Sequence, residues 1–120
     1  MHPCGQAEKV KRQSKDFEFR VEEFFGAFKR NMPWEYSANY EMAYQTMDRI
    51  HHGPKSEDQL HGSLVEIKAD SIRLNEMQEL FELFVVEYRQ VDQCLKEARL
   101  LKAVWDMISH VTIQVTTKID

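Results

Sequence analysis

The chain has 120 residues, 42% of them hydrophobic and 30% charged, a composition that suits one small folded core. With 20 acidic residues against 16 basic ones the formal charge is -4, so no global charge draws it to nucleic acid or an anionic membrane. No apolar run reaches the roughly 18 residues a membrane-spanning helix requires. None follows Met1 as a secretory signal would, so a cytosolic chain with its two cysteines reduced is expected.

Residues 1–15 hold Lys9, Lys11, Arg12 and Lys15 against Glu8 alone, and read as a disordered basic tail. Asp16, Glu18, Glu22 and Glu23 follow at once, which does not suit an organelle presequence. From residue 16 the apolar positions Phe17, Val21, Phe24, Phe25, Phe28 and Met32 recur at steps of three and four, one stripe of an α-helix. Pro33 disfavours helical geometry at Met32, so this helix should end near Asn31. Ser37 is a plausible N-cap for a second helix with the inner face Tyr40, Ala43, Tyr44, Met47 and Ile50. Gly53 and Pro54 should stop that helix near His52, giving a helical hairpin over 16–52.

Residues 53–62 read as a polar linker. Ser56 with Gln59 and Ser63 with Glu66 both show capping-box spacing, and Gly62 between them favours the later start for the third helix. Its stripe runs through Leu64, Ile67, Leu74, Met77, Leu80, Phe81 and Phe84, interrupted by Ser71. The run FVVEY, 84–88, is poor in helix formers and should break the chain, so 63–120 reads as two long helices with a break there. The last helix has the stripe Tyr88, Val91, Leu95, Ala98, Leu101, Trp105, Ile108 and Val115. Its 3.6-residue period suits a bundle, because a strict heptad from Tyr88 would put Lys102 in the seam. Asp92 and Lys96 have the spacing of a helical ion pair, and the β-branched run after Val111 predicts fraying or docking on something outside this chain. The fold class is therefore all-α: three to four amphipathic helices in antiparallel hairpins or an irregular bundle.

Little in the chain suits chemistry. Its four glycines are scattered and none precedes a lysine, so no phosphate-cradling loop exists and ATP hydrolysis of that type is excluded within these residues. His51, His52 and His61 with Glu57 or Asp58 are metal-binding residue types, but His51 and His52 are adjacent and no pair has the i,i+4 spacing of helical ligands. Ser109 and His110 are helical neighbours and cannot face each other, and Cys94 lies on an apolar stripe as a buried thiol. Paired carboxylates such as Glu22 with Glu23 read as hydrated surface. No cofactor or metal is expected. The candidates that remain are apolar packing residues: Phe17, Phe24 and Phe28 on the first helix, and Leu101, Trp105 and Ile108 on the last. Basic residues are not interleaved with these aromatics, so base stacking is not suggested.

The segment MQELFELFVVEYRQVDQCLKEARLLKAVWDMI, 77–108, is more specific than its composition. It resembles the axonemal dynein heavy chains just before their linker domain, in the order Leu80-Phe81-Glu82, Tyr88, Cys94, Leu100-Leu101-Lys102 and Trp105-Asp106. Upstream, VEEFFGAFKRNMPW, 21–34, and the helix with Ala43, Tyr44, Met47 and Asp48 stand in the same order as in that family. The resemblance implies a non-catalytic piece of the heavy-chain tail, joining the stem to the linker that moves in the power stroke. It implies a place in the cytoskeleton of the ciliary axoneme, with the rest of the heavy chain and the intermediate and light chains as partners; exposed apolar stripes are also compatible with self-association. The family's nucleotide and microtubule-binding residues have no counterpart here. Gly53, Pro54 and the linker interrupt a helix that usually runs on in the family, and the chain stops at Asp120, where the linker domain would begin. The alternative is a small autonomous helical adaptor that grips a partner helix through the aromatic stripe of 17–28.

Overall fold

Capping chemistry and backbone breaks divide the chain into four helices. The computed structural model describes residues 3–35, 39–53 and 63–119, with side chains over 5–35, 39–53 and 63–114. The helices are α1 (Pro3–Asn31), α2 (Tyr40–His52), α3 (Leu64–Leu80) and α4 (Arg89–Ile119), with no strand among the described residues. The all-α class is thus as expected from the periodicity.

α1 is longer at its N-terminus than the sequence reading allows. Val10 and Ser14 are buried at 1% and 6% exposure, and with Phe17, Val21, Phe24 and Phe28 they form one inward row at alternating steps of four and three. The basic residues Lys9, Lys11, Arg12 and Lys15 that suggested a tail from 1 to 15 lie on the helix between and outside these inward positions. Among the described side chains of that stretch only Val10 and Ser14 are buried, which is why its composition concealed a packed helix. Trp34 follows the Pro33 stop, donates its indole N–H to the Lys29 carbonyl at 2.8 Å and sets its ring edge-on to Phe28.

α2 is capped by Asn39, whose side chain accepts from the Met42 amide at 3.1 Å; Ser37, the cap expected from sequence, lies outside the described residues. Ala43, Met47 and Ile50 are buried as expected, and Gly53, at φ 96°, closes the helix by donating to the Arg49 carbonyl. The expected hairpin of α1 with α2 is not a packed pair. α1 lies on α3 and α4, α2 lies on α4 and α3, and the helical backbones of α1 and α2 have little contact of their own.

At α3 the later start is the one used. Ser63 accepts from the Glu66 amide, and the Glu66 carboxylate accepts from the Ser63 amide, completing the capping box; Ser56 and Gln59 lie outside the described residues, as does most of the expected linker. The inner face is Leu64, Ile67, Ser71, Leu74 and Gln78, not the stripe that ran on to Leu80 and Phe84, which are 73% and 86% exposed. Val65 and Ile72 are exposed as well, so α3 is apolar on two sides, and hydropathy alone does not say which side faces in. Ser71 tolerates burial because its hydroxyl donates to the Lys68 carbonyl at 2.7 Å.

α3 ends in a Schellman closure: the Leu83 amide donates to the Gln78 carbonyl and the Glu82 amide to the Glu79 carbonyl. That closure puts Glu82 at φ 56°, in the left-handed region where a side chain is strained. Glu82→Gly is expected to leave stability unchanged or raise it by about 0.5–1 kcal/mol, whereas glycine at the helical Glu97 should cost about 1 kcal/mol. Urea midpoints of the two variants against the parent check the contrast. The break expected near 84–88 follows this closure, with non-helical backbone as far as Tyr88.

The break is held from inside by a polar cluster. Gln78 Oε1 accepts from the Val86 amide and from Asn75 Nδ2, both at 3.0 Å, while its Nε2 donates to Ser14 Oγ at 3.0 Å and to the Tyr88 hydroxyl at 3.2 Å. Asn75 also donates to the Val86 carbonyl, and Ser14 and Tyr88 share a 2.8 Å hydrogen bond. α1, α3 and the start of α4 therefore meet over hydrogen bonds that each need one register. Two ion pairs join the same helices at the surface. Arg20 on α1 reaches Asp70 on α3 at 2.6 Å, and Lys68 on α3 reaches Asp92 at 2.7 Å, so the partner of Asp92 lies across the helix interface rather than at Lys96.

α4 spans 31 residues, about 46 Å at 1.5 Å per residue, and continues past Val111 to Ile119, where fraying or docking on something outside the chain was expected. Its inward residues are Val91, Cys94 and Trp105, and beyond Trp105 none of its described side chains is buried. The molecule is accordingly elongated, 73 × 25 × 19 Å, with a radius of gyration of 18.8 Å against about 14 Å for a compact chain of this length.

Candidate functional site

Of the six packing candidates read from the sequence, four are consumed by the chain's own core. Phe17 sets its ring edge-on to Tyr88 at 4.8 Å, and Phe24 and Phe28 lie 6.2 Å apart at 5% and 1% exposure. Trp105 is 1% exposed and donates its indole N–H to the Pro33 carbonyl at 2.9 Å. These rings are unavailable to a partner while the chain is folded. Leu101 and Ile108 are half-buried at the margin of the core.

The open surface lies beside them. Leu100, Val104, Met107 and Val111 are 57%, 49%, 69% and 52% exposed, and their steps of four, three and four line them up along α4. At 100° per residue this row sits roughly 135° around the helix from the buried row. With Leu101 and Ile108 between the two rows, the C-terminal half of α4 is apolar from the core outward. The signal was present in the sequence as a second apolar period, but the row containing Trp105 masked it.

A second surface is a groove of about 560 Å³ between α2 and α4. Its floor is formed by Met32, Met47, Ile50, Leu64, Leu95 and Ala98. The α2 wall carries Asp48, His51 and His52, and the α4 wall Arg99 and Lys102. The Asp48 carboxylate is engaged by His52 Nδ1 at 2.9 Å. Desolvation, helped by His52 and opposed by Asp48, lowers the His51 pKa from 6.5, so its imidazole is neutral at pH 7. At one end Tyr44 donates to Asp106 at 2.5 Å and shares a 3.2 Å hydrogen bond with Ser109. The Tyr44 bond and Lys102 hold the Asp106 carboxyl below the usual carboxylate range, while burial and Asp106 raise the Tyr44 hydroxyl.

Among the described residues no group of three histidine, cysteine or acidic side chains converges to hold a metal ion. His51 and His52 meet ring edge to face at 4.6 Å, and the other members of that expected set, His61, Glu57 and Asp58, lie outside the described residues. Ser109 Oγ is turned to the Asp106 carbonyl at 3.0 Å and His110 is exposed, so the two do not form a nucleophile pair. Burial pushes the Cys94 thiol up to about 12, with the Glu97 charge adding to the effect. In a Cys4→Ser background, alkylation of Cys94 at neutral pH is expected to be at least about 100-fold slower than in the urea-unfolded chain. Iodoacetamide labelling followed by intact mass measures that ratio, and equal rates would show an accessible thiol.

What these surfaces can do is bury further apolar side chains. The chain is 34% identical over 119 aligned residues to the flagellar outer-arm dynein beta chain of Chlamydomonas reinhardtii, with 91% of the chain covered. It is 31% identical over 102 residues, 85% of the chain, to the ciliary dynein beta chain of Tripneustes gratilla. The chain is homologous to a segment of the axonemal dynein heavy chains. A further relative is axonemal dynein heavy chain 17 of Mus musculus, 31% identical over 111 residues and 92% of the chain. This dynein-homologous segment spans about 2% of the length of each of these relatives. No family model and no solved structure matches it.

Proposed function

We propose that the chain works as a non-catalytic structural segment of an axonemal dynein heavy chain, in the part of the tail that leads into the linker domain. Its place is then the axoneme of a cilium or flagellum, and its partners are the rest of the heavy chain and the intermediate and light chains of the complex. Homology to heavy chains over most of the chain supports the assignment to axonemal dynein. The observation that carries the structural role is the second apolar row of α4. A helix packed by its own bundle on one side and apolar on the other is suited to pass direction and force between two packed bodies, because neither face can rotate freely once covered. Scattered glycines without a Gly-Lys pair support the non-catalytic part of the proposal. The adaptor alternative through residues 17–28 has less support, since Phe17, Phe24 and Phe28 lie in the core and Phe19, at 71% exposure, is the one largely exposed ring there.

An antibody to residues 95–111, used on purified axonemes and on cytosol, tests the proposal. Signal that stays with axonemes and is extracted together with dynein is expected. Signal confined to a cytosolic pool that does not sediment with dynein would overturn it.

A further inference from the structure

We propose that the groove between α2 and α4 is the seat of an amphipathic helix from another chain, one with an aliphatic face and carboxylates along its flank. The groove is separate from the outer row of α4 and is built differently. Its lining runs from Tyr44 to His52 on α2 and from Leu95 to Lys102 on α4, about two helical turns on each side. A helix laid into that length presents three or four side chains at i, i+3, i+4 and i+7.

Met32 and Met47 in the floor give it unbranched, adaptable side chains that fit several aliphatic shapes. Charge selects the sign of the flank. On the α4 wall Arg99 and Lys102 are both exposed, one helical turn apart, and the Lys102 contact with Asp106 is a 3.1 Å surface pair that exchanges at little cost. On the α2 wall Asp48, beside His52, is the one acid in the lining, so the lining as a whole sets two cations against one carboxylate. Carboxylates on the flank of an incoming helix that faces the α4 wall therefore meet Arg99 and Lys102, whereas lysines there would meet them as like charges.

The probe is an 18-residue fluorescent peptide of Leu, Ala and Glu with leucines at i, i+3, i+4 and i+7, tested beside a counterpart with lysine in place of every glutamate. With the full 120-residue chain, anisotropy should give binding at least tenfold tighter for the glutamate peptide. Arg99→Glu with Lys102→Glu, both at exposed positions, should reverse that preference, and Ala98→Trp should weaken binding at least tenfold by filling the floor. Circular dichroism confirms that each variant keeps its helices. Equal binding of the two peptides, or binding unchanged by the double charge reversal, overturns the proposal. So does dimerisation abolished by Ala98→Trp, which assigns the groove to a second copy, and so does peptide binding that appears only after Leu60→Ser, which assigns it to the chain's own connecting residues. The axonemal blot is independent of every one of these outcomes, so loss of either reading leaves the other standing.

Discussion

Replacing Trp105 with alanine should lower the stability of the folded chain by about 3–5 kcal/mol. The indole is 1% exposed and lies in the core that all four helices share, so its removal loses the transfer energy of a large ring and leaves a cavity. It also removes the 2.9 Å hydrogen bond to the Pro33 carbonyl, which ties α4 to the connection between α1 and α2. Small domains have net stabilities of about 5–15 kcal/mol, so the loss takes much of the total. The midpoint of thermal unfolding should fall by more than 10 °C, on the order of 4 °C per kcal/mol for a chain of this size. Trp105→Phe keeps most of the packing and loses the hydrogen bond, and about 1–2 kcal/mol is expected. Thermal melts of the two variants by circular dichroism decide the point. If Trp105→Ala unfolds within about 1 kcal/mol of the parent, the indole is not a core residue of the folded chain.

Gln78→Ala is expected to cost about 2–4 kcal/mol, although the residue is polar and sits where a helix stripe calls for leucine. Gln78 is 2% exposed, and its Oε1 accepts the Val86 amide, which then has no protein partner when the side chain is cut back. An orphaned backbone donor of this kind costs about 1–3 kcal/mol, and the cavity adds to it. Gln78→Leu fills the cavity and still orphans the amide, so it should lie between parent and alanine. Gln78→Glu keeps the acceptor but buries a carboxyl. Burial raises its pKa above the unfolded value of about 4.3 while the Val86 and Asn75 N–H donors lower it; where burial outweighs them, the variant is closest to the parent at about pH 4 and loses stability as the pH rises through the folded pKa. Urea unfolding at about pH 4 and about pH 7 distinguishes this from a packing defect, whose cost would not change with pH. The same measurements report on α1, since Ser14 and Tyr88 belong to the cluster and their own 2.8 Å bond survives in all three variants.

Much of the fold is legible because helix ends are written locally. Pro33 after Asn31, Gly53 after His52 and the Ser63–Glu66 capping box set three boundaries within a residue or two, by chemistry that needs only near neighbours. The break over FVVEY is local for the same reason. The core faces of α2 and of most of α1 follow from apolar period, since each has one clearly apolar side. α3 is different. With Val65, Ile72 and Leu80 on one side and Leu64, Ile67 and Leu74 on another, its inward face was settled by Ser71 and Gln78, whose polarity argued against them in sequence and whose hydrogen bonds admit them to the core.

The candidate site divides the same way. Phe17, Phe24, Phe28 and Trp105 are apolar in any reading, but whether such a ring meets the chain itself or a partner depends on which helices reach it. That is a long-range fact, and α1 with α4 supply it. The extent of α1 was hidden because two inward residues in its first dozen are too few to show a period among lysines. By itself the sequence determined that the chain is helical, where three of its breaks fall, that it lacks a phosphate-binding loop and which family it resembles, because each of these rests on local spacing or residue order. Only the tertiary structure decided which apolar row is covered, which is left open on α4 and what closes the break at Tyr88, because each depends on side chains brought together from distant positions, such as Ser14, Gln78 and Tyr88.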